Sequence, residues 1–569
     1  MADGAAARQP NPSRRPVTAA GRQLSMWVMG RKVSGGFVLR EPFIMRRRVA
    51  DGVPVGSVGA VRPDEGGRFL RRVPRRMGMR QDTELETTSD LAVADRLEMP
   101  PEAMLELARE AAEILVRRRG ELAGEGAWDG EFRDALEERL MEDPPEEGQP
   151  AADVMERAVR DVLNLALRLD HPGCFGFVPS SPTWPGVVAD FLAAGYNLNA
   201  CNWLVGSGPS QLECVVIEWF RRWLGMPETA GGLLTSGGSA ASLDALVAAR
   251  EAAGYPERAT VYMSDQSHPA HVRAVKIAGI RPDHARIVPS DGRSRIDLDA
   301  LARMVAEDRA AGRNPIAVCA NAGATATGAI DPLPELADFC AAEGIWFHVD
   351  AAYGGFAVVT ERGRRLLDGI ERADSVGLDA HKWFFQPYEV GCLLVRDVST
   401  LEEPFGVQPT FLQDSLWGSG HPNLTDRGLQ MSRSARALKI WMSVQTFGMA
   451  AFRDSIANGL DCAARAEAYI DASPMLECLS PATLSIVCFR VRPAGGEIGA
   501  EIAEETLDEL NREVLARLFW EDPAFVSSAV VSGKFALRVC IVNYNTTWDD
   551  VRAVLEATER FGREALGKL

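Results

Sequence analysis

His348-Val349-Asp350-Ala351-Ala352-Tyr353-Gly354-Gly355 decides the fold, read together with Asp379-Ala380-His381-Lys382-Trp383 farther along the chain. The apolar run Ile345-Trp346-Phe347-His348-Val349 predicts a buried strand that delivers Asp350 at its carboxyl end. Ser375-Val376-Gly377-Leu378 predicts a second such strand, and it leads to Lys382, 32 positions after Asp350. An acid and an amine are thus expected at neighbouring strand ends.

Working outward, residues 171–400 alternate short apolar runs with helical patterns. The runs include 260–263, 316–320, 345–349 and 392–395, and helices are predicted over 240–253 and 333–342. That alternation implies an α/β sheet with helices on both faces. Ligands of such sheets bind at the carboxyl ends of the strands. Helical spacing also recurs over 101–119, and 142–148 reads as a linker. After an irregular stretch at 400–430, a long helix is predicted over 433–447. Strand-like segments 484–491 and 535–543 then suggest a smaller α+β unit. The expected organisation is a basic tail at 1–80, a helical segment at 81–170, a large domain at 171–432 and a small one at 433–569.

The chain has 569 residues, enough for two or more domains, and 46% of them are hydrophobic. No apolar stretch approaches the roughly 20 residues that span a bilayer. The N-terminus lacks the layout of a secretory signal. Ten cysteines show no CxxC pair, so neither zinc nor a disulfide framework is indicated, and a reducing cytoplasm fits. Net charge is -17, yet residues 1–80 carry 17 Lys/Arg against 5 Asp/Glu. The basic blocks resemble a nucleic-acid or membrane-surface tail. Their Gly, Pro and Arg content without a period fits disorder better, and the acidic body argues against nucleic acid as a partner.

Aspartate and lysine at adjacent strand ends suit pyridoxal 5'-phosphate (PLP). The lysine can form a Schiff base, and the aspartate can keep the pyridine nitrogen protonated. Ala351 and Ala352 leave room for a flat ring. Alone, Asp350 would read as a helix cap and Lys382 as a solvated surface residue; the pairing is what argues for a site. Thr235-Ser236-Gly237-Gly238-Ser239-Ala240 follows the run 232–234 and opens a helix, so Gly238 and Ser239 are candidate phosphate contacts. A plain strand–helix turn would look much the same. His268, in Ser264-Asp265-Gln266-Ser267-His268, lies between this loop and the Asp/Lys pair and is a candidate for stacking on the cofactor ring.

Over about residues 100–565 the chain resembles the group II PLP-dependent amino-acid decarboxylases, such as aromatic-L-amino-acid decarboxylase. The resemblance implies PLP fold type I, aspartate-aminotransferase-like, with a large mixed-sheet domain and a small C-terminal domain. It implies Lys382 as the Schiff-base lysine, Asp350 as the pyridinium partner and His268 as the stacking histidine. Ala352, Thr325 and His381 are implied on the cofactor side, with Gly238 and Ser239 at the phosphate. Ser180, in Phe177-Val178-Pro179-Ser180, and Trp203 are implied on the substrate side. It further implies a homodimer with sites at the interface, wrapped by N-terminal helices, and a small-molecule amino acid as the substrate.

One departure bears on the product. The family's mobile loop usually carries a tyrosine that returns a proton after CO2 leaves. Here Leu424 falls at that position, no tyrosine occurs over 399–433, and His421 is the nearest candidate donor. A second departure is Ala380, where proline is usual. The expected activity is decarboxylation of an L-amino acid, aromatic or branched aliphatic, to the amine. The alternatives are a decarboxylation-coupled aldehyde synthase and another fold-type-I lyase or transaminase.

Overall fold

Parallel pairing at the carboxyl ends of three strands sets the architecture of this computed structural model. Residues 97–178, 180–406, 420–493 and 502–567 are described. The basic tail at 1–80 lies outside them, as do Pro179 and 407–419.

The large sheet contains β1 (Gly231–Thr235), β2 (Ala259–Ser264), β3 (Ala285–Val288), β4 (Asn314–Asn321), β5 (Trp346–Asp350), β6 (Ser375–Asp379) and β7 (Gly391–Val395). Their spatial order is β1-β7-β6-β5-β4-β2-β3. Neighbours from β6 across to β3 run parallel, whereas β7 is antiparallel to both β6 and β1. The strands β2, β6 and β7 are buried along their whole length, which is why they read as unbroken apolar runs. A seven-stranded mixed sheet joined to a small antiparallel one is the architecture that the fold-type-I resemblance implies.

Helices of eight residues or more are α1 (Pro101–Glu121), α2 (Arg133–Leu140), α3 (Ala151–Ala158), α4 (Trp184–Gly195), α5 (Trp203–Leu224), α6 (Gly238–Ala252), α7 (Ala270–Ile277), α8 (Leu298–Ala310) and α9 (Leu333–Glu343). Then come α10 (Ala437–Ala472), α11 (Glu504–Glu521) and α12 (Trp548–Leu566). The helix expected over 433–447 starts at Ala437 and runs on to Ala472, but it is broken at Gly448, whose φ is 71°. The sequence pattern ends one residue before that break. The strands β8 (Leu476–Ser480), β9 (Ile486–Val491), β10 (Ser527–Val531) and β11 (Lys534–Cys540) form a second, antiparallel sheet in the order β10-β11-β9-β8.

One face of the small sheet (Ile486, Cys488, Ala536, Cys540) packs into the core of the large one, and its other face builds a separate core with α10, α11 and α12. Trp383, fully buried, stacks on Tyr353 with ring centroids 5.4 Å apart. A Cβ on Gly459 would fall 2.6 Å from the Ile541 carbonyl oxygen and 3.3 Å from the Trp383 ring, so glycine there lets α10 close onto both. Tyr353 Oη lies 2.6 Å from Ser485 Oγ and accepts the Ser485 N–H at 2.9 Å. Arg538 of β11 donates to the carbonyls of Thr325 (2.9 Å) and Phe177 (2.6 Å). No described helix is long and apolar enough to cross a membrane.

The lead-in to α10 is fixed by a fully buried ion pair. Arg433 Nη2 donates to Glu213 Oε1 on α5 at 2.5 Å and to the Leu234 carbonyl of β1 at 2.6 Å. Glu213 also accepts the Leu234 N–H at 2.7 Å. Removing one partner of such a pair strands the other charge in a low-dielectric interior and costs about 3–5 kcal/mol. Arg433→Ala should therefore lower the urea midpoint markedly, and Glu213→Leu/Arg433→Met should recover much of the loss. An Arg433→Ala midpoint equal to wild type would contradict this reading.

Candidate active site

Asp350 ends β5, opposite Asn321 on β4 and Gly377 on β6. Two residues beyond Gly377, Asp379 ends β6, and the chain turns so that Lys382 Nζ comes to 2.9 Å from Asp379 Oδ2. The strand β1 feeds the loop Ser236-Gly237 and the start of α6 on the same side. Together these ends enclose a cavity of about 310 Å³.

Lys382, Asp350, His268, Gly238, Ser239, Ala352, Thr325 and His381 all line that one cavity. Ser180, Trp203, Leu424 and His421 do not line it in the single chain. Ser180 is buried, and its hydroxyl has no hydrogen-bond partner among the described residues. Trp203 and His421 stack face to face, 4.2 Å between centroids and 6° from parallel. Leu424 is fully buried beside them, where the Thr425 N–H donates to the Cys201 carbonyl at 3.2 Å. Asn202 caps α5 by accepting the Val205 N–H at 3.0 Å.

The cavity fits PLP at both ends. At one end, α6 opens without a side-chain cap, and the first amides of a helix have no intrahelical acceptor, which suits a phosphate. Gly237 has φ 152°, and a Cβ on Gly238 would lie 3.1 Å from both the Ala352 methyl and Asp379 Oδ2. Only glycine leaves that end open. At the other end, the Asp350 carboxylate is held by two donors: Oδ1 accepts the Ala352 N–H at 3.0 Å, and Oδ2 pairs with His271 Nε2 at 2.9 Å. Burial opposes its charge, but His271 and then Lys382 outweigh burial and hold Asp350 well below the usual carboxylate range.

Burial also dominates at His268 and lowers its pKa, although Asp350 opposes the shift. The ring is therefore neutral near pH 7. Its Nδ1 accepts the Ala270 N–H at 3.2 Å, which assigns the proton to Nε2. For Lys382, burial favours the neutral amine, but the carboxylates of Asp379 and Asp350 more than offset it, and the pKa is raised. Without cofactor, Lys382 is an ammonium ion.

The sequence alone assigns no role to Asp379, Asn321 or Tyr388, which line the cavity, or to His271, which reaches Asp350 from behind it. Asp379 was visible in the Lys382 motif, three residues earlier. His271 follows His268 by three, but only His271 lies on α7, so the spacing carries no helical signal. Asn321 and Tyr388 had no local signal; register and a turn bring them in.

Residues 134–492 match the family described as the pyridoxal-dependent decarboxylase conserved domain. The chain is similar to aromatic-L-amino-acid decarboxylase of Bacillus atrophaeus, 36% identical over 83% of this chain and 98% of that one. It is similar to phenylacetaldehyde synthase of Arabidopsis thaliana, 31% identical over 71% of this chain and 85% of that one. A crystal structure of Oryza sativa TDC with PLP and tryptamine superposes with TM-score 0.78, at 28% identity, over 82% of this chain and 99% of that one.

Two expectations follow. Protein reconstituted with PLP should absorb near the visible–ultraviolet border, and Lys382→Ala should lose that band while still folding; a colourless wild type would refute the assignment. Because Asp379 holds the proton on Lys382, Asp379→Asn should lower that pKa and move the pH midpoint of PLP capture downward. An unmoved midpoint would show that Asp379 does not control the amine.

Proposed function

The chain belongs to the pyridoxal-dependent decarboxylase family, and we propose that within it this enzyme removes the α-carboxyl group of an aromatic L-amino acid as CO2 and returns the amine. It is a PLP-dependent carboxy-lyase. The observation that carries the reading is one cavity bordered by both Lys382 and an Asp350 carboxylate held anionic. Bound PLP supplies an electron sink for the pair left when the carboxyl group departs.

The chain's own residues divide the remaining work. Lys382 would hold the cofactor through Nζ, which must first give up its proton against the pull of Asp379. Asp350, held ionised, would keep a proton on the pyridine nitrogen. His268, neutral, offers Nε2–H to the substrate carboxylate. The Gly237-Gly238 turn and the amides that open α6 receive the phosphate. Among the described residues no arginine lines the cavity, which favours a substrate with a single carboxylate. The aromatic class is supported by relatives named tyrosine decarboxylase and tryptophan decarboxylase.

A homodimer completes the reading. Exposed apolar side chains on the N-terminal segment (Leu105, Val116, Leu163) and on α4 (Phe191) suit burial against a second copy. In that assembly Ser180, Trp203, Leu424 and His421 would border the substrate side of a shared site. All ten cysteines are free, in keeping with a cytoplasmic protein.

A second reading has its own observation. No tyrosine occurs over 399–433, and a relative is named phenylacetaldehyde synthase. If proton return is slow, oxygen could take the electrons and give aldehyde, ammonia and peroxide. Incubation with each of the aromatic amino acids, following CO2, amine, aldehyde and peroxide, separates the two. Amine in step with CO2 is the expected result; peroxide in step with CO2 would move the assignment to the synthase, and no CO2 from any amino acid would defeat both. Asp350→Ala should retain some PLP yet lose turnover by about a hundredfold to a thousandfold or more.

A further inference from the structure

His271 stands behind Asp350, and no part of the cavity chemistry described so far uses it. It is the second residue of α7, three after His268, and its side chain is fully buried. Nε2 donates to Asp350 Oδ2 at 2.9 Å. With the Ala352 N–H on Oδ1, both carboxylate oxygens are pinned, and what remains open is the side that faces the cavity.

We propose that His271 is a positioning residue that, by donating Nε2–H to Asp350 from beneath, fixes the carboxylate as an oriented anion, so that the shared proton of the cofactor site resides on the pyridine nitrogen and not on the carboxylate. The inference rests on the PLP reading of the site and deepens it.

Among the described residues the ring makes one side-chain hydrogen bond, to Asp350, and its Nδ1 is buried without a partner. Four groups face it. Asp350 and His348 project from β5, Cys319 comes from β4, and His268 precedes α7. Burial alone would strip the proton from His271; the hydrogen bond to Asp350, aided by Cys319, overcomes burial and raises its pKa to about 10. His348 is the neighbour that yields. Its ring sits 5.7 Å away at 67°, and burial followed by the His271 charge drives its pKa down to about 3. His348 is tied off in that neutral state by Ser375 Oγ, 2.8 Å from Nδ1. One imidazolium and one neutral imidazole thus share the space beneath the carboxylate, and only the former reaches it.

The Asp350 carboxylate is buried, so desolvation alone would push its pKa upward. His271 supplies the largest opposing contribution, ahead of Lys382. Nζ of Lys382 is the group that would join the cofactor, whereas His271 lies behind Asp350, outside the cavity lining, and would take no part in that exchange. Without His271, Asp350 would compete with the ring nitrogen for one proton. With it, the competition is settled before substrate binds.

The test uses the full chain reconstituted with PLP labelled with nitrogen-15 in the ring. His271→Leu removes both the charge and the donor; His271→Gln keeps a neutral donor. The nitrogen-15 shift reports ring protonation directly, over about pH 6 to 9, and PLP affinity is measured on the apoenzymes. Circular dichroism and thermal unfolding establish that each variant folds. In wild type the ring nitrogen should stay protonated across the range. In His271→Leu its midpoint should fall by about one unit or more, a tenfold change in proton occupancy, and PLP should bind more weakly. His271→Gln should recover PLP affinity, through geometry, but not the wild-type midpoint. A wild-type midpoint in a folded His271→Leu would overturn the proposal. If that variant does not fold, a wild-type midpoint in His271→Gln would overturn it equally. A wild-type protein that binds no PLP would instead defeat the cofactor reading itself, and this inference with it.

Discussion

Parallel register between β4, β5 and β6 is the constraint on which the rest depends. It sets Asn321, Asp350 and Gly377 side by side. Because parallel strands must be joined by crossovers, residues distant in sequence arrive at one sheet edge. The acid comes from β5, the amine from the turn after β6, and the glycine loop from the far side through β1. A slip of one residue in β5 would turn Asp350 to the opposite face of the sheet and empty the site of its acid.

That edge gathers charges that would be costly singly. Asp350, Asp379, Lys382 and His271 lie mostly out of water, and each has an opposite partner within 2.9 Å. Paired, they persist; unpaired, each would shift its pKa and neutralise. The arrangement has two halves. Asp350 with His271 forms a stable pair on the side of the sheet, whereas Asp379 with Lys382 must come apart for the lysine to act. The first half is rigid and the second is exchangeable. This difference follows from the partners: an imidazolium locked beneath the sheet has nothing else to bind, but an ammonium at the cavity wall does.

Much of this was legible in the sequence, for physical reasons. The buried strands appear as apolar runs, so 260–263 and 375–378 fall inside observed strands, and 345–349 overlaps β5 from Trp346 on. The long helix over 433–447 was readable only to Gly448, because a glycine with left-handed φ breaks the periodicity that defines a helix in sequence. The strands β3 and β10 left weaker signals, since their exposed positions dilute the apolar pattern. Among site residues, those in compact motifs were found: Lys382, Asp350, Gly238. His271 was passed over because a histidine on a helix carries no mark of what lies opposite. Its partner, 79 residues away, is supplied by the sheet. Likewise, nothing local predicts that Trp203 and His421 stack, because that contact joins a helix start to a distant loop.

The most direct measurement is borohydride reduction of the PLP-reconstituted protein followed by peptide mass mapping. Reduction freezes the cofactor onto whichever amine holds it. The predicted result is a single pyridoxyl group on Lys382, blocked by a prior Lys382→Ala change. A label on another lysine, or a stoichiometric label that survives that change, would contradict the assignment of this cavity as the place where the cofactor is held.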